Sequence, residues 1–348
     1  MSDSDEQIYT PEVLERVTSA TLMGMGAPED LAHLVAESLV LSNLVGHDSH
    51  GIIRLMEYSG WVKAGTLIPH ARPEVLWKRE GTALIDGHWG WGQATAALAN
   101  TTVIELAKEF GSATVVLRQS HHIGRMGEYV DQMADAGLMG IAVCNTGGAV
   151  VAPFGGVKPV LGTNPFAWGL PGPQGHNYVL DFSTAVVAAG KVVLAAMNGE
   201  EIAPGSLIDK NGNPSTRAAD LEEGGALLTF GGHKGSGMSV LIDVAAGVLS
   251  GNMPATLADN GFGNGTIFMA TDISRFVELS MLQSISQLFE GKMKGSSPSA
   301  GPKVLLPGEH ESNVFGSRSQ KGIAVSNGVR KNIVGLASEF GVSLPEFE

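Results

Sequence analysis

The residues best suited to chemistry are Ser49, His50 and Arg54. A histidine exchanges protons near neutral pH, and the serine beside it can hydrogen-bond to the ring. Arg54 lies four residues on, about one helical turn, so it points the same way once a helix has begun. Its fork binds a carboxylate through two parallel bonds. A His and an Arg in one pocket suit a 2-hydroxy or 2-oxo acid. The guanidinium holds the carboxylate, and the imidazole exchanges the alcohol proton as hydride leaves. The competing reading is structural: a capped helix N-terminus and a surface arginine.

Lys191 falls in an otherwise apolar stretch, Ala185 to Leu194. A lysine there is costly unless paired or functional. It either polarises an oxo group and tunes the histidine, or snorkels to solvent. His233-Lys234-Gly235 opens a helix whose free N–H groups suit a phosphate; a plain glycine-rich cap is the alternative. His47, His50, His121 and His122 invite a metal reading, but no Cys or Glu completes a ligand set, and no metal is expected. Cys144 reads as a core thiol. Gly261 to Gly265 lacks the G-x-G-x-x-G spacing and its strand–helix context, and Gly231 to Ser236 lacks the Gly-Lys-Ser order. No standard nucleotide signature is present.

Positioning these groups requires a particular order of elements. Thr10-Pro11-Glu12 starts a helix running to about Met23, with Thr as cap and Pro at the first position. A second helix begins near Pro28 and ends at Gly46; a third covers about Ile53 to Ala64. Short strands fall between Pro73 and Gly90. Residues 92–145 then alternate helix (Gln93 to Phe110), strand (Ala113 to Leu117), helix (Met126 to Ala136) and strand (Met139 to Cys144), an α/β pattern. A glycine-rich loop spans 145–165. Tyr178 to Phe182 is a strand and Thr184 to Met197 a helix with Lys191 in its middle. Gly231 to Gly237 is a loop opening a helix to about Leu249. Phe262 to Ala270 is a strand, Ile273 to Phe289 a helix and Gly291 to Gly301 a loop. The remainder holds one strand, a polar loop and a helix near Val329 to Phe340.

The chain has 348 residues, 22 basic against 35 acidic, for a net charge of −13. That acidity disfavours nucleic acid as a partner. With 43% hydrophobic and 16% charged residues the chain is not disordered. A single cysteine excludes an intrachain disulfide. The acidic, polar start from Met1 to Glu6 does not read as a signal peptide, and no stretch reaches about 18 uninterrupted apolar residues. A cytoplasmic protein without membrane contact is expected. Low charge with high hydrophobicity points to an oligomer.

These motifs, in order, resemble the malate/L-lactate dehydrogenase family, which includes ureidoglycolate, sulfolactate and hydroxycarboxylate dehydrogenases and cyclic-imine reductases. The likeness rests on His47-Asp48-Ser49-His50-Gly51 with Arg54, Ser120-His121-His122-Ile123-Gly124-Arg125, and Pro153-Phe154-Gly155. It continues through Gly162-Thr163-Asn164-Pro165, Leu180-Asp181-Phe182-Ser183-Thr184, Gly190-Lys191, His233-Lys234-Gly235 and Leu306-Pro307-Gly308-Glu309. It covers about residues 10 to 325 and is nearest the hydroxycarboxylate dehydrogenase branch.

The resemblance implies an NAD(P)-dependent oxidoreductase acting on a CH–OH group of a small 2-hydroxy acid, and a homodimer. It implies a non-Rossmann, sulfolactate-dehydrogenase-like α/β fold with a mixed sheet, an N-terminal helical region and discontinuous lobes. The expected organisation is a disordered tail (1–8), a helical region (9–70), an α/β core for cofactor and substrate (71–300) and a C-terminal cofactor loop with closing helix (301–348). Carried over residue by residue, His50 is the acid/base with Ser49 as relay, His122 its rival, and Lys191 a third catalytic candidate. Arg54, Thr163, Ala189 and Gly190 contact substrate. His122, Ile123, Gly124, Arg125, Met126, Thr146, Asp181, Phe182, Ser183, His233, Lys234, Gly235, Gly308, Glu309 and His310 contact the cofactor. The imine-reductase branch carries an aspartate where this chain has Lys191, which favours an alcohol/ketone couple. The acidic Glu309–Glu311 stretch favours NAD over NADP. A cyclic-imine reductase and a catalytically silent cofactor- or acid-binding protein are the alternatives.

Overall fold

A computed structural model describes residues 6–257, 263–296, 300–345 and 347. The expectations at residues 1–5, Gly261, Phe262 and 297–299 lie outside the described residues. Strand β1 (Glu6–Tyr9) leads into α1 (Pro11–Gly24), where Val13 N–H donates to Thr10 Oγ1 at 3.4 Å. Residues 6–8 are therefore not a disordered tail: they pair antiparallel with β12 (Ile323–Ser326). Helix α2 (Glu29–Leu44) buries Leu31, Val35, Leu39 and Val40 and stops at Gly46, whose φ of 87° suits glycine alone at low cost. A single 3₁₀ turn, Asp48–His50, separates it from α3 (Arg54–Lys63).

The centre is a mixed seven-stranded sheet. In spatial order it runs β2 (Glu74–Arg79), β3 (Thr82–Asp86), β4 (Ser112–Arg118), β11 (Asn264–Asp272), β5 (Leu138–Thr146), β6 (Phe166–Leu170) and β7 (Tyr178–Phe182). Only β3 and β4 pair in parallel, joined by the crossover helix α4 (Gly92–Phe110). Alternation along β11 gives the sheet two apolar faces. Phe268 and Ala270 join the core under α4 and α5 (Met126–Asp135), while Ile267 and Met269 pack with Ile242 and Ala246 of α7 (His233–Ser250). Because β4 and β5 both run antiparallel to β11, their C-terminal ends emerge on one edge. Strand β7 ends there too, since β6 reverses the direction twice. Ligands of open α/β sheets bind outside such carboxyl ends.

A small lobe holds α6 (Ala189–Asn198) over a three-stranded sheet of β8 (Leu207–Ile208), β9 (Pro214–Ser215) and β10 (Ala226–Leu227). The chain closes with α8 (Leu279–Gly295), α9 (Glu309–Lys321), β12 and α10 (Asn327–Glu339). Ile323, Val325, Ile333 and Leu336 share one core with α1, α2 and α3.

Several expectations need correction. The helix expected from Thr184 begins at Ala189, because Val186 N–H is committed to Leu228 O at 2.8 Å and Ala185 bridges Thr229. Strand β6 was absent from the sequence reading. Helix α7 starts at His233, where His233-Lys234-Gly235 was expected to open a helix, so the loop expected over Gly231 to Gly237 stops at Gly232. The one expected at Ile273 is a 3₁₀ turn, and α8 starts at Leu279 and runs through the expected loop to Gly295. The expected C-terminal polar loop is mostly helix α9. Among the described residues no helix is long and apolar enough to cross a membrane.

Candidate active site

The 3₁₀ turn carrying Ser49 and His50 is held from behind. Asn43, at the end of α2, donates from Nδ2 to Asp48 Oδ1 at 2.7 Å and accepts from Ile52 N–H at 3.0 Å. Gly51 sits against the same amide, and any Cβ there would overlap it. Helix α9 adds a second hold. Arg318 forks onto both Asp48 carboxylate oxygens at 2.7 and 3.0 Å, and Glu311 pairs with His47 at 3.2 Å. Sequence reasoning missed Asn43, Glu311 and Arg318; a polar Asn among the buried residues of α2 was the available signal.

Within this frame Ser49 Oγ lies 3.1 Å from His50 Nδ1, and Arg54 Nε donates to the Ser49 carbonyl at 2.7 Å. Arg54 also pairs with Glu57. The three residues thus form one unit, and the purely surface reading of Arg54 fails. Opposite them is the first turn of α6: a Cβ at Gly190 would stand 3.5 Å from Arg54 Nη2 and 3.8 Å from Ser49 Cβ. Ala189 and Lys191 flank that contact. Lys191 lies in the first helical turn rather than in mid-helix, and it is exposed, as the solvent-facing alternative has it. Its ammonium still acts electrostatically on His50.

The loop after β4 supplies the other histidine. The His122 ring centroid lies 5.5 Å from that of His50, and Tyr58 hydroxyl meets His122 Nδ1 at 2.8 Å. Gln93 Nε2 donates to the Tyr58 oxygen at 2.6 Å. Glycine at 92 lets α4 approach this loop, since a Cβ would overlap the His121 and His122 carbonyls. His121 turns away, bonds the Thr66 carbonyl at 2.8 Å and lies against Trp61. It is part of the framework. Burial pushes His50 down to about 3, helped by Arg54, His47, Arg125 and Lys191. Burial also holds His122 well below the ordinary histidine value, with Arg54 and His50 adding to it. Both rings are neutral at pH 7.

Next to this cluster Arg125 is only 7% exposed, and its Nε has no hydrogen-bond partner among the described residues. Asp181 accepts from Gly127 N–H at 2.6 Å beside it, and burial raises the Asp181 pKa against the pull of Arg125. Ile123, Gly124 and Met126 are buried around them. Thr146 Oγ1 accepts from Thr163 N–H at 2.9 Å, and Ser183 Oγ donates to the Thr163 carbonyl at 2.9 Å. Those threonines and Ser183 therefore knot together the ends of β5 and β7. Phe182 packs on Phe166 and Phe230.

His233 and Lys234 stand exposed on the first turn of α7, with His233 edge-on to Phe154, while Gly235 is buried. Neither has a recorded hydrogen bond, ion pair or ring contact with His50 or His122. Gly308 packs near Val179 at the start of β7, Glu309 pairs with Lys294 at 2.9 Å, and His310 is exposed. Cys144 is buried, and its thiol is pushed up to about 12. Among the described residues no group of three or more His, Cys, Asp or Glu is placed to hold a metal ion.

An unpaired, buried guanidinium nitrogen beside the neutral histidines is a ready partner for an anionic or polar cofactor group. Helix α7 opens after Gly232, and the N–H groups of Lys234, Gly235 and Ser236 already bond the Gly231, Phe230 and Gly232 carbonyls, so this turn offers a phosphate the positive end of the helix dipole and the exposed Lys234 rather than free donors. Arg125 and the His122 loop suit a polar group of a cofactor.

The chain matches the malate/L-lactate dehydrogenase family over residues 9–334. It is 32% identical to a malate dehydrogenase of Pyrococcus horikoshii, with 92% of each chain covered. It is 34% identical to hydroxycarboxylate dehydrogenase B of Escherichia coli K12, over 96% of this chain and 94% of that one. Its fold superposes on a sulfolactate dehydrogenase of Methanocaldococcus jannaschii with a TM-score of 0.88 at 28% identity, covering 98% and 99% of the two chains.

Proposed function

The chain belongs to the malate/L-lactate dehydrogenase family, and from that premise we propose that it oxidises a small 2-hydroxy acid to the 2-oxo acid, reversibly, with NAD. The observation that carries this reading is the Arg54 guanidinium, held through Nε on the Ser49 carbonyl, with the neutral His50 ring beside it. The substrate carboxylate pairs with Arg54 where Gly190 leaves room. Burial and the Arg54 cation hold His50 neutral, so its ring can accept the hydroxyl proton; the bound carboxylate offsets that cation and makes His50 more basic as the substrate seats. Ser49 steadies the ring through Nδ1. Thr163 and Ala189 complete the wall, and Lys191 adds positive field. The nicotinamide, when bound, supplies the hydride acceptor. Arg125, Asp181 and Ser183 at the sheet edge, with the His233 turn of α7, would hold the cofactor. The acidic first turn of α9, at Glu309 and Glu311, supports NAD over its 2′-phosphorylated form.

A homodimer and a cytoplasmic location belong to the same reading. Leu241 at 72% exposure, with Val244, Val248 and Leu249, makes the outer face of α7 apolar, and Ile285, Leu288 and Phe289 do the same for α8. A second copy covering these faces removes a large apolar patch from water. Light scattering on the purified protein checks the dimer.

The activity is tested by following reduced-nicotinamide absorbance with NAD or NADP over a panel of L- and D-2-hydroxy acids, then 2-oxo acids and cyclic imines in reverse. Turnover of a hydroxy or oxo acid is expected. Turnover of imines alone overturns the alcohol/ketone assignment.

A further inference from the structure

We infer that Tyr58, a residue the sequence motifs did not mark, is a positioning residue that fixes His122 in its Nε2–H tautomer and so makes His122 a hydrogen-bond donor, leaving proton transfer to His50. This rests on the dehydrogenase reading for its catalytic consequence, but the tautomer itself is a property of the protein alone.

Two hydrogen bonds set the direction. Gln93 is buried to 1% exposure and gives its amide nitrogen to the Tyr58 oxygen at 2.6 Å. An amide nitrogen only donates, so the Tyr58 oxygen is the acceptor in that bond. Tyr58 has one proton left, and the group within reach is His122 Nδ1 at 2.8 Å. Nδ1 must then be the bare ring nitrogen, and the proton of the neutral imidazole sits on Nε2. The opposite polarity reverses the Gln93 amide. It would strand an NH2 group where Gln93 Oε1 now lies buried without a partner. A buried orphan carbonyl oxygen is tolerated more often than a buried orphan N–H.

Two features keep the chain polarised. Complete burial raises the Tyr58 phenol far above its ordinary value, so the hydroxyl stays a donor. His122 is held neutral, so Nδ1 stays free to accept. Packing fixes the geometry: Tyr58 stacks on Trp61 with centroids 5.6 Å apart and meets Trp91 edge-on at 5.9 Å.

The two histidines therefore differ although their rings are neighbours. His50 is bonded at Nδ1 by Ser49, a hydroxyl able to donate or accept, so either tautomer is open to it. His122 is bonded at Nδ1 by a phenol whose own buried proton has no other acceptor among the described residues, so the phenol must donate. A neutral Nε2–H ring cannot accept a proton at Nε2, and giving one up would make an imidazolate. It can only donate a hydrogen bond, as suits an oxo or carboxamide oxygen.

The test is nitrogen-15 NMR of histidine-labelled protein at neutral pH, with His122→Gln used to assign the signal. The expected result is a pure Nε2–H pattern for His122 in the unmodified protein and a mixed-tautomer pattern in Tyr58→Phe. Gln93→Met, which keeps the phenol but frees its acceptor side, should give the same mixture. An Nδ1–H pattern in the unmodified protein overturns the inference, as does a pure Nε2–H pattern in either variant. In kinetics, Tyr58→Phe should lower kcat about tenfold, the equivalent of one good hydrogen bond, with KM for the acid little changed. A rise in KM at constant kcat contradicts the assigned role. The NMR pattern is read without substrate, so its outcome is separate from whether a hydroxy acid is turned over.

Discussion

The two walls of the candidate site are built on different principles. The wall of the 3₁₀ turn is tied down: Asn43, Arg318 and Glu311 bond the residues flanking Ser49 and His50 from α2 and α9. The wall made by α6 has no N-cap side-chain bond, approaches through a glycine, and ends in an exposed lysine. A proton-transfer group must be held to within a fraction of an ångström, and bonded contacts do that. A surface that accommodates different acid side chains needs room instead. On the proposed reading the first wall anchors the carboxylate and carries turnover, and the second selects among acid side chains.

That division can be broken most directly at its centre. His50→Ala should cut kcat by about 10²–10⁴-fold, whereas Arg54→Ala should act mainly on KM for the acid. Near-normal turnover in His50→Ala would remove the chemistry from the tied wall.

Asn43→Ala sharpens the comparison one level down, because it strands the Ile52 N–H and takes one partner from Asp48. A loss of about 1–3 kcal/mol of stability is expected in thermal or denaturant unfolding, with kcat falling more than KM. An unchanged melting temperature would mean that α9 alone holds the turn.

On the other wall, Gly190→Val should raise KM for the acid about tenfold through its approach to Arg54, while leaving unfolding curves unmoved. Equal losses in kcat and stability would show that the two walls are one rigid body.

The smallest effect is on pH dependence. His50 is held at about 3 in the folded chain, below its unfolded value near 6.5. Between those values the unfolded state binds the extra proton, so this contribution to stability is present above about pH 6.5 and is lost as the pH falls. His50→Asn should flatten that acid limb by less than about 1.4 kcal/mol per pH unit. A limb of unchanged slope would mean that burial does not hold the ring neutral.

Legibility in the sequence cut across that divide. Thr10-Pro11, the β4–loop–α5 passage and the Ser49-His50-Arg54 unit could be read because side chain and backbone signals agreed there. Helix α9 could not: its sequence, Glu309 to Lys321, is polar on nearly every face, so no apolar periodicity marks it. Strand β6 hid behind the Gly162-Thr163-Asn164-Pro165 loop and contains Gly169, which is needed because α5 passes so close that a Cβ would overlap the Val130 carbonyl. The apolar run from Thr184 looked helical, but tertiary bonds hold Thr184 to Val186 extended. Tyr58 and Gln93 sit 35 residues apart, and only the fold brings them together.

The pairing of β1 with β12 has a consequence for how the protein is made. Residues 6–9 leave the ribosome more than 300 residues before their partner strand at 323–326. Helices α1 and α2 likewise wait for Ile323, Val325, Ile333 and Leu336 to close their core, and the Ser49–His50 turn waits for Arg318. Throughout that interval the nascent chain therefore carries bare apolar helices and a loose Ser49–His50 turn, a state suited to chaperone capture. Translation that stops short of α9 should release a product that holds Ser49, His50, Arg54 and His122 but leaves the turn untied.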